Sequence, residues 1–261
     1  MSTLSLVRRE TSYARKVLVR DPQNLFFTVG LPLLYLFIFA TIFGDEEAQI
    51  PGQTGVMDVA TVMTASVIVI GVVSAAFQNL TINLVQDREN GVLKRLRSAP
   101  VPTPVFLGGH LINALITSVL LAVGVAVLGF VLYGVPFTDQ RTLAAVVTVV
   151  VGAIACAGAA FPFTRLVGKA TAASPMAVAV TLTLFFLSGN FFPGTELPRA
   201  MSLVADLFPV RHFYVAMVTA FNPNVDGAGF EWTRLAVLAA WAIGGAVAGT
   251  RLFRWTPTEE H

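Results

Sequence analysis

The stretch that decides the fold is VATVMTASVIVIGVVSAAFQNL, residues 59–80, which contains no Asp, Glu, Lys or Arg. About 20 apolar residues in a helix are enough to cross the hydrocarbon core of a bilayer. The stretch lacks the period-2 alternation that a strand of a membrane barrel would show. Because unpaired backbone groups are costly in lipid, it predicts a membrane-spanning helix.

Five further stretches of this kind occur along the 261 residues. The predicted spans are 25–43, 59–80, 107–133, 143–163, 176–192 and 235–255. Hydrophobic residues make up 55% of the chain and charged residues 12%, against about 25% charged in a soluble domain. The composition therefore excludes a soluble enzyme and a disordered chain, and it predicts an all-α integral membrane protein with six transmembrane helices.

The basic residues predict the orientation of the chain in the membrane. Thirteen of the 17 Lys and Arg residues fall on the side that six spans assign to both termini, and four fall on the other. The positive-inside rule then places both termini in the cytoplasm. The loop after the first span carries Asp45, Glu46 and Glu47 but no basic residue, as expected outside.

The segment between the second and third spans, residues 86–104, reads QDRENGVLKRLRSAPVPTP. Asn90-Gly91 indicates a turn, a short charged helix follows, and three prolines make a stiff connector to the third span. Such an element is suited to docking on a cytoplasmic partner through apolar anchors and a charged rim. A solvated loop that only satisfies the positive-inside rule is the alternative.

Two other segments lie outside the spans. Residues 4–20 predict a basic amphipathic helix in the membrane interface, either a lipid anchor or an element that transmits motion. Residues 193–221 predict two short outer helices that re-enter the membrane or lie on its outer leaflet. Either a lid over an exit path or interfacial packing would account for them.

Three features together resemble the permease subunit of type-2 ABC transporters. They are Arg20-Asp21-Pro22 after the basic helix, the segment Arg88–Leu96 leading to Pro100, and the stretch from Leu187 to Pro193. The chain looks most like the daunorubicin-resistance permease group, which includes lipid and polysaccharide exporters. The likeness covers nearly the whole chain, and it implies a multi-pass protein of the bacterial plasma membrane.

The resemblance implies functional residues at two places. The loop after the second span would be the coupling helix that sits on the ATPase subunit, although Lys94 stands where the family usually has an acidic residue. The fifth span would line the central path, with lipid-facing or bundle packing as the alternative for each aromatic residue. The implied coupling residues are Arg88, Glu89, Gly91, Leu93, Lys94, Arg95 and Leu96, and the candidate path residues are Phe185, Phe186, Asn190, Phe191 and Phe192.

The chain has no ATPase motif of its own. A P-loop needs G-x-x-x-x-G-K-[ST], but Gly168-Lys169 is followed by Ala170 and Phe163 stands at the first glycine position. We therefore expect no catalytic residue, metal or cofactor in this chain. A separate ABC ATPase would bind ATP and Mg²⁺, and a second permease, identical or homologous, would complete the path.

The resemblance implies export of a lipophilic drug or antibiotic, a lipid or a glycan. A secondary transporter is the first alternative, although no charged residue lies in the middle of a span. A membrane-embedded enzyme would need a polar catalytic cluster that the spans do not provide. A scaffold protein without transport activity stays open.

Two polar or small-residue patterns lie in the spans or next to them. Gln78, Asn79 and Asn83 cluster near the inner end of the second span, with Asn113 and Ser118 in the third, and we expect these polar side chains to satisfy one another between helices. Gly245-x-x-x-Gly249 in the sixth span is a candidate close-packing face.

Overall fold

The computed structural model describes residues 30–44, 46–90, 103–136, 139–191, 194 and 198–252. The predicted interfacial helix 4–20 lies outside the described residues, as does the part of the coupling loop from Gly91 to Pro102. Within the described ranges the helices are α1 (Leu31–Phe43), α2 (Val59–Glu89), α3 (Thr103–Tyr133), α4 (Asp139–Phe163), α5 (Ala170–Ser188), α6 (Arg199–Ala205), α7 (Pro209–Phe221) and α8 (Trp232–Leu252). Two short antiparallel strands, β1 (Glu47–Ala48) and β2 (Met57–Asp58), lie in the connection between α1 and α2.

Five of these helices, α2, α3, α4, α5 and α8, are long and apolar enough to cross a membrane. The pair α6 and α7, bent by 97°, would make a sixth if it counts as one span, and α1 adds a shorter apolar helix of 13 described residues. The prediction of an all-α integral membrane fold is confirmed.

Helix α2 forms the centre of the bundle. In its most apolar stretch 89% of the residues are buried within the chain, against 22% for α8 and 28% for α5. Since the part of α2 from Val59 to Val73 is apolar on every side, it can be surrounded by other helices, and α1, α3 and α7 pack on it. Helices α5 and α8 lie at the perimeter, where their exposed apolar faces meet lipid or another protein.

Helices α4 and α8 pack closely through two glycines. A Cβ atom added to Gly245 would lie 2.3 Å from the backbone of Gly158. Such a contact is closer than any real Cβ tolerates, so the two backbones can meet only because both positions lack a side chain. Gly249, one turn further, would place its Cβ 3.0 Å from the Phe161 ring.

Helix α5 ends at Ser188, four residues before the end of the predicted span. Gly189 adopts a left-handed backbone with φ of 79°, which costs little only for glycine. The N–H groups of Gly189 and Asn190 then bond the carbonyl oxygens of Phe186 and Phe185 at 3.3 Å, a common way to close a helix. The chain therefore turns back on itself just before Phe191.

Candidate functional site

The side chain of Arg88 at the end of α2 is buried, with only 4% of the residue exposed. Its guanidinium group donates to the carbonyl oxygens of Thr164 at 3.1 Å, Gly168 at 3.1 Å and Val167. Three carbonyls arranged around a planar fork of N–H groups suit arginine better than the single ammonium of lysine. The loop between α4 and α5 is thus folded around one cation from α2.

Glu89 binds the same loop from the other side. Its Oε1 atom accepts a hydrogen bond of 2.9 Å from the backbone N–H of Ala170, the first residue of α5. A carboxylate here satisfies one free N–H of the helix start and meets the positive end of the helix dipole. Arg88 and Glu89 together, which we call the loop clamp, tie the end of α2 to residues 164–170.

The loop clamp concerns two of the seven residues predicted to couple to the ATPase. Arg88 and Glu89 are described, and both bind within the chain. The remaining five lie outside the described residues: Gly91, Leu93, Lys94, Arg95 and Leu96. The clamped loop itself presents Leu166, which is 71% exposed, beside the exposed Arg165.

The candidate path residues at the end of α5 lie on different sides of the chain. Phe185 is buried, whereas Phe186 is 46% exposed. Phe191 packs between them, with ring centroids 5.8 Å from Phe185 and 5.0 Å from Phe186. It also meets the edge of Tyr35 from α1 at 6.2 Å. Phe192 lies outside the described residues.

Asn190 is fully buried beneath this aromatic group. Its amide nitrogen donates to the carbonyl oxygen of Ser66 in α2 at 3.3 Å. The contact ties the end of α5 to the central helix. Of the described candidates, Phe186 is therefore the one whose ring is open to the surroundings of the chain, and Asn190 and Phe185 serve the packing of the outer half.

On the side predicted to face outward, the loop from Glu46 to Asp58 is fastened to the end of α7. The Asn222 amide, which is fully buried, donates to Gln53 Oε1 at 3.2 Å and to the Thr54 carbonyl at 3.0 Å. Gln53 donates in turn to Thr219 Oγ1 at 2.9 Å, and Asn224 donates to the Val56 carbonyl at 2.7 Å. These bonds, which we call the outer strap, hold α7 against the loop between α1 and α2.

A charged group holds the bend between α6 and α7. Asp206 Oδ1 accepts from Arg211 at 3.0 Å and from Arg234 of α8 at 3.3 Å. Arg234 also donates to His212 Nδ1 at 3.1 Å. Since a guanidinium group cannot accept, that nitrogen is unprotonated, and Nε2–H donates to the Asp206 carbonyl at 2.9 Å. The bend is thereby joined to the start of α8.

Between α2 and α3 lies a small cavity of about 20 Å³ that we call the amide pocket. Its polar lining consists of Asn79, Asn83, His110, Asn113 and Thr117. His110 Nε2, in the lining of this cavity, lies 3.3 Å from Asp87 Oδ2. The amides are close in space, as the sequence led us to expect, but within the described part of the chain the Asn83 and Asn113 side chains form no hydrogen bond with each other or with anything else.

A larger apolar groove of about 470 Å³ opens between α3, α4 and α7. Val123, Val127 and Phe130 of α3 line it, with Val146 of α4 and Met217 of α7. No charged side chain is among its lining residues. The surface of this groove resembles that of any lipid-facing membrane helix, so its lining does not indicate a particular ligand.

The loop residues that the loop clamp binds were not accessible to sequence reasoning. Thr164, Val167 and Gly168 take part through backbone carbonyl oxygens, which every residue type possesses. No pattern of side chains could therefore have pointed to them. No three His, Cys, Asp or Glu side chains in the described ranges are grouped in a way that could hold a metal ion.

The fold and these contacts define a multi-pass membrane protein in which the loop between α4 and α5 is joined to the end of α2 by buried polar contacts. A sequence model of the ABC-2 type transporter family matches residues 3–222, and the chain belongs to that family. It is accordingly a permease subunit of an ABC transporter, and its membrane domain is not itself an ATPase. No curated protein gives a significant match.

Proposed function

We propose that this chain is the membrane subunit of an ATP-driven exporter and that a separate ABC ATPase moves it through residues 88–96. ABC-2 permeases normally work with such a partner. The observation that carries the proposal is the loop clamp. A loop that only connected two spans would need no buried arginine bound to three carbonyls of another loop.

The proposed mechanism begins with ATP-driven closure of two ATPase subunits, which bind the ATP and Mg²⁺. Leu93 and Leu96 would provide apolar anchors on the ATPase, and Gly91, Lys94 and Arg95 would complete the docking surface. Movement of this segment shifts the end of α2, and Arg88 and Glu89 carry the shift to α4 and α5. Hydrogen bonds to charged groups contribute about 1.5–3 kcal/mol each, so the loop follows α2 rather than detaching from it.

The path in this proposal lies between two permease copies or homologues. Helix α5 lies at the perimeter, and only 28% of the residues in its most apolar stretch are buried within the chain. Its remaining surface can therefore contact such a partner. Phe186, Phe191 and Phe192 would present aromatic surface to a flat or lipophilic cargo. The cargo class is a lipophilic drug or antibiotic, a lipid or a glycan, moved out of the cell.

The test is assembly and hydrolysis of the complex. The chain should copurify with a P-loop ATPase, and purified alone it should hydrolyse no ATP. Leu93→Asp should reduce copurification at least tenfold, because a charge replaces an apolar anchor at the centre of the interface. Val56→Asp, at an exposed position of the outer loop, is the control and should copurify normally. Unchanged assembly in Leu93→Asp would refute the docking role of this segment.

A further inference from the structure

The amide pocket is a polar site at membrane depth. Asn113 follows the start of α3 by ten residues, and Asn83 precedes the end of α2 by six. At 1.5 Å per residue they lie about 15 Å and 9 Å from these helix ends. With the predicted orientation both amides fall in the inner half of the bilayer, where an unsatisfied polar group is costly.

Two of these amides lack any partner inside the described chain. Asn83 is exposed and Asn113 half-buried, and neither side chain forms a hydrogen bond there, although Thr117 donates to the backbone carbonyl of Asn113 at 3.0 Å. Polar side chains in spans usually bond across helices or face a cavity. These two face a cavity, and their donors and acceptors are free to bond whatever enters it.

The backbone of α2 is adapted at the same place. Residues Ser74–Asn79 form a π-helical turn, and Ala75 and Asn79 of this turn line the pocket. Such turns are uncommon and often occur at functional sites. The wider turn interrupts an otherwise regular helix beside the free amides rather than elsewhere along its 31 residues.

The size and charge of the pocket define the chemistry it accepts. A volume of about 20 Å³ holds one group of the size of a water molecule or a hydroxyl. The only titratable side chain in its lining, His110, is already paired with Asp87 and packs against the edge of Phe106 at 4.6 Å. A charged ligand group would find no free counter-charge among the lining residues.

We propose that the amide pocket is a hydrogen-bonding subsite for one uncharged hydroxyl group of an amphiphilic cargo that arrives from the inner half of the bilayer. The inference rests on the proposed function and narrows its cargo. The apolar part of such a molecule stays in lipid, while its polar group bonds Asn83 and Asn113. Cargo with only a phosphate or an ammonium group would not use this site.

The experiment uses the full permease in nanodiscs with its ATPase and without nucleotide. Three photoreactive probes share a decyl chain with a diazirine beside the head group, which is a glucoside, a phosphate or a trimethylammonium. The glucoside should label the segments 75–83 and 110–117 at least about fivefold more than the charged probes, which is the selectivity that one hydrogen bond provides. Equal labelling by all three probes would overturn the proposal.

Substitution provides the second arm. Asn83→Leu and the double variant with Asn113→Leu should lower glucoside labelling about fivefold, and both should fold because leucine is compatible with lipid. Thr183→Val is the matched control, since within the described ranges the exposed Thr183 hydroxyl on α5 bonds the carbonyl of Ala179 in its own helix at 2.8 Å. Unchanged labelling in the double variant would refute the subsite.

A further outcome would reassign the amides. If cysteine introduced at position 83 forms a disulfide with a cysteine introduced at position 83 or 113 of a second copy, the amides belong to an interface between permeases and the proposal fails. Failure of the proposed function is a different result, namely no copurification with an ATPase. The labelling assay needs no hydrolysis, and it is repeated on the full permease alone in nanodiscs, so its result can be read independently of copurification.

Discussion

The guanidinium group of Arg88 lies 3.1 Å from the carbonyl oxygen of Thr164, although 76 positions separate the two residues. The contact joins the end of the central helix α2 to the loop between α4 and α5. A buried cation is stable only when it is paired or hydrogen-bonded, and carbonyl dipoles of the loop provide that. The geometry of this loop therefore depends on one side chain from a distant part of the chain.

Replacing Arg88 by alanine should destabilise the permease by about 2–3 kcal/mol, since buried carbonyl groups would lose their donor. Arg88→Lys should recover only part of this, because one ammonium cannot reproduce the fork of N–H groups. Thermal stability in detergent, followed by size-exclusion of heated samples, measures the effect. Arg165→Ala, at an exposed position of the same loop, is the control. Equal stability of Arg88→Ala and Arg165→Ala would show that the clamp contributes nothing.

Glu89 should act through its oxygen more than through its charge. Glu89→Gln retains an acceptor for the Ala170 N–H and should keep most of the coupling between the ATPase and the permease. Glu89→Ala removes the acceptor, which costs about 1 kcal/mol at a helix start, and should lower permease-dependent ATP hydrolysis. Hydrolysis by the reconstituted complex is the measurement. Equal loss in both variants would instead indicate direct contact of the carboxylate with the partner.

Replacing either of two adjacent glycines in α8 by alanine should affect the stability of the permease differently. Gly245→Ala forces its Cβ into the backbone of Gly158, so α8 must move away from α4 at a cost of about 1–3 kcal/mol. Gly244→Ala meets no atom within 4 Å among the described residues and should leave stability unchanged or improve it. Melting temperatures of the two variants test this. A harmless Gly245→Ala would contradict the close approach of the helices.

The outer strap should loosen when Asn222 becomes aspartate. The amide donates to Gln53 and Thr54, and a carboxylate in its place would face two acceptor oxygens without a proton to share. With a single cysteine introduced at Gln49, a membrane-impermeant maleimide should react several times faster in the Asn222→Asp background. The native Cys156 is buried and does not compete. Unaltered labelling would show that the loop is held by other contacts.

The orientation predicted from the basic residues is open to a similar test. Cysteine at Thr54 should react with an impermeant maleimide in intact cells, whereas cysteine at Leu166 should react only after permeabilisation. Both positions are exposed in the structure, so access to the membrane face alone decides the result. Labelling of Leu166→Cys from outside would place the loop clamp on the wrong side for any cytoplasmic ATPase.

The membrane class and the family followed from the sequence for a simple reason. The bilayer acts as a solvent in which only apolar helices and closed barrels can span, so a run such as residues 59–80 without period-2 alternation indicates the fold class before any contact is known. The ordered motifs around Arg20, Arg88 and Leu187 led to the ABC-2 family, and the family match confirmed it. The daunorubicin-like subtype, the coupling role of residues 88–96 and the cytoplasmic termini stay predictions.

Only the tertiary structure determined which groups the side chains of Asn83, Asn113 and Arg88 contact. The sequence led us to expect that Asn83 and Asn113 satisfy other amides, yet the packing of α2 against α3 leaves both facing a cavity. Likewise, nothing in the sequence links Arg88 to Thr164, Val167 and Gly168, because a carbonyl oxygen is the same on every residue. Hydropathy is a local property of the chain, so it can be read from the sequence alone. Hydrogen bonds to distant backbone groups form only once the helices have packed, so the sequence does not reveal them.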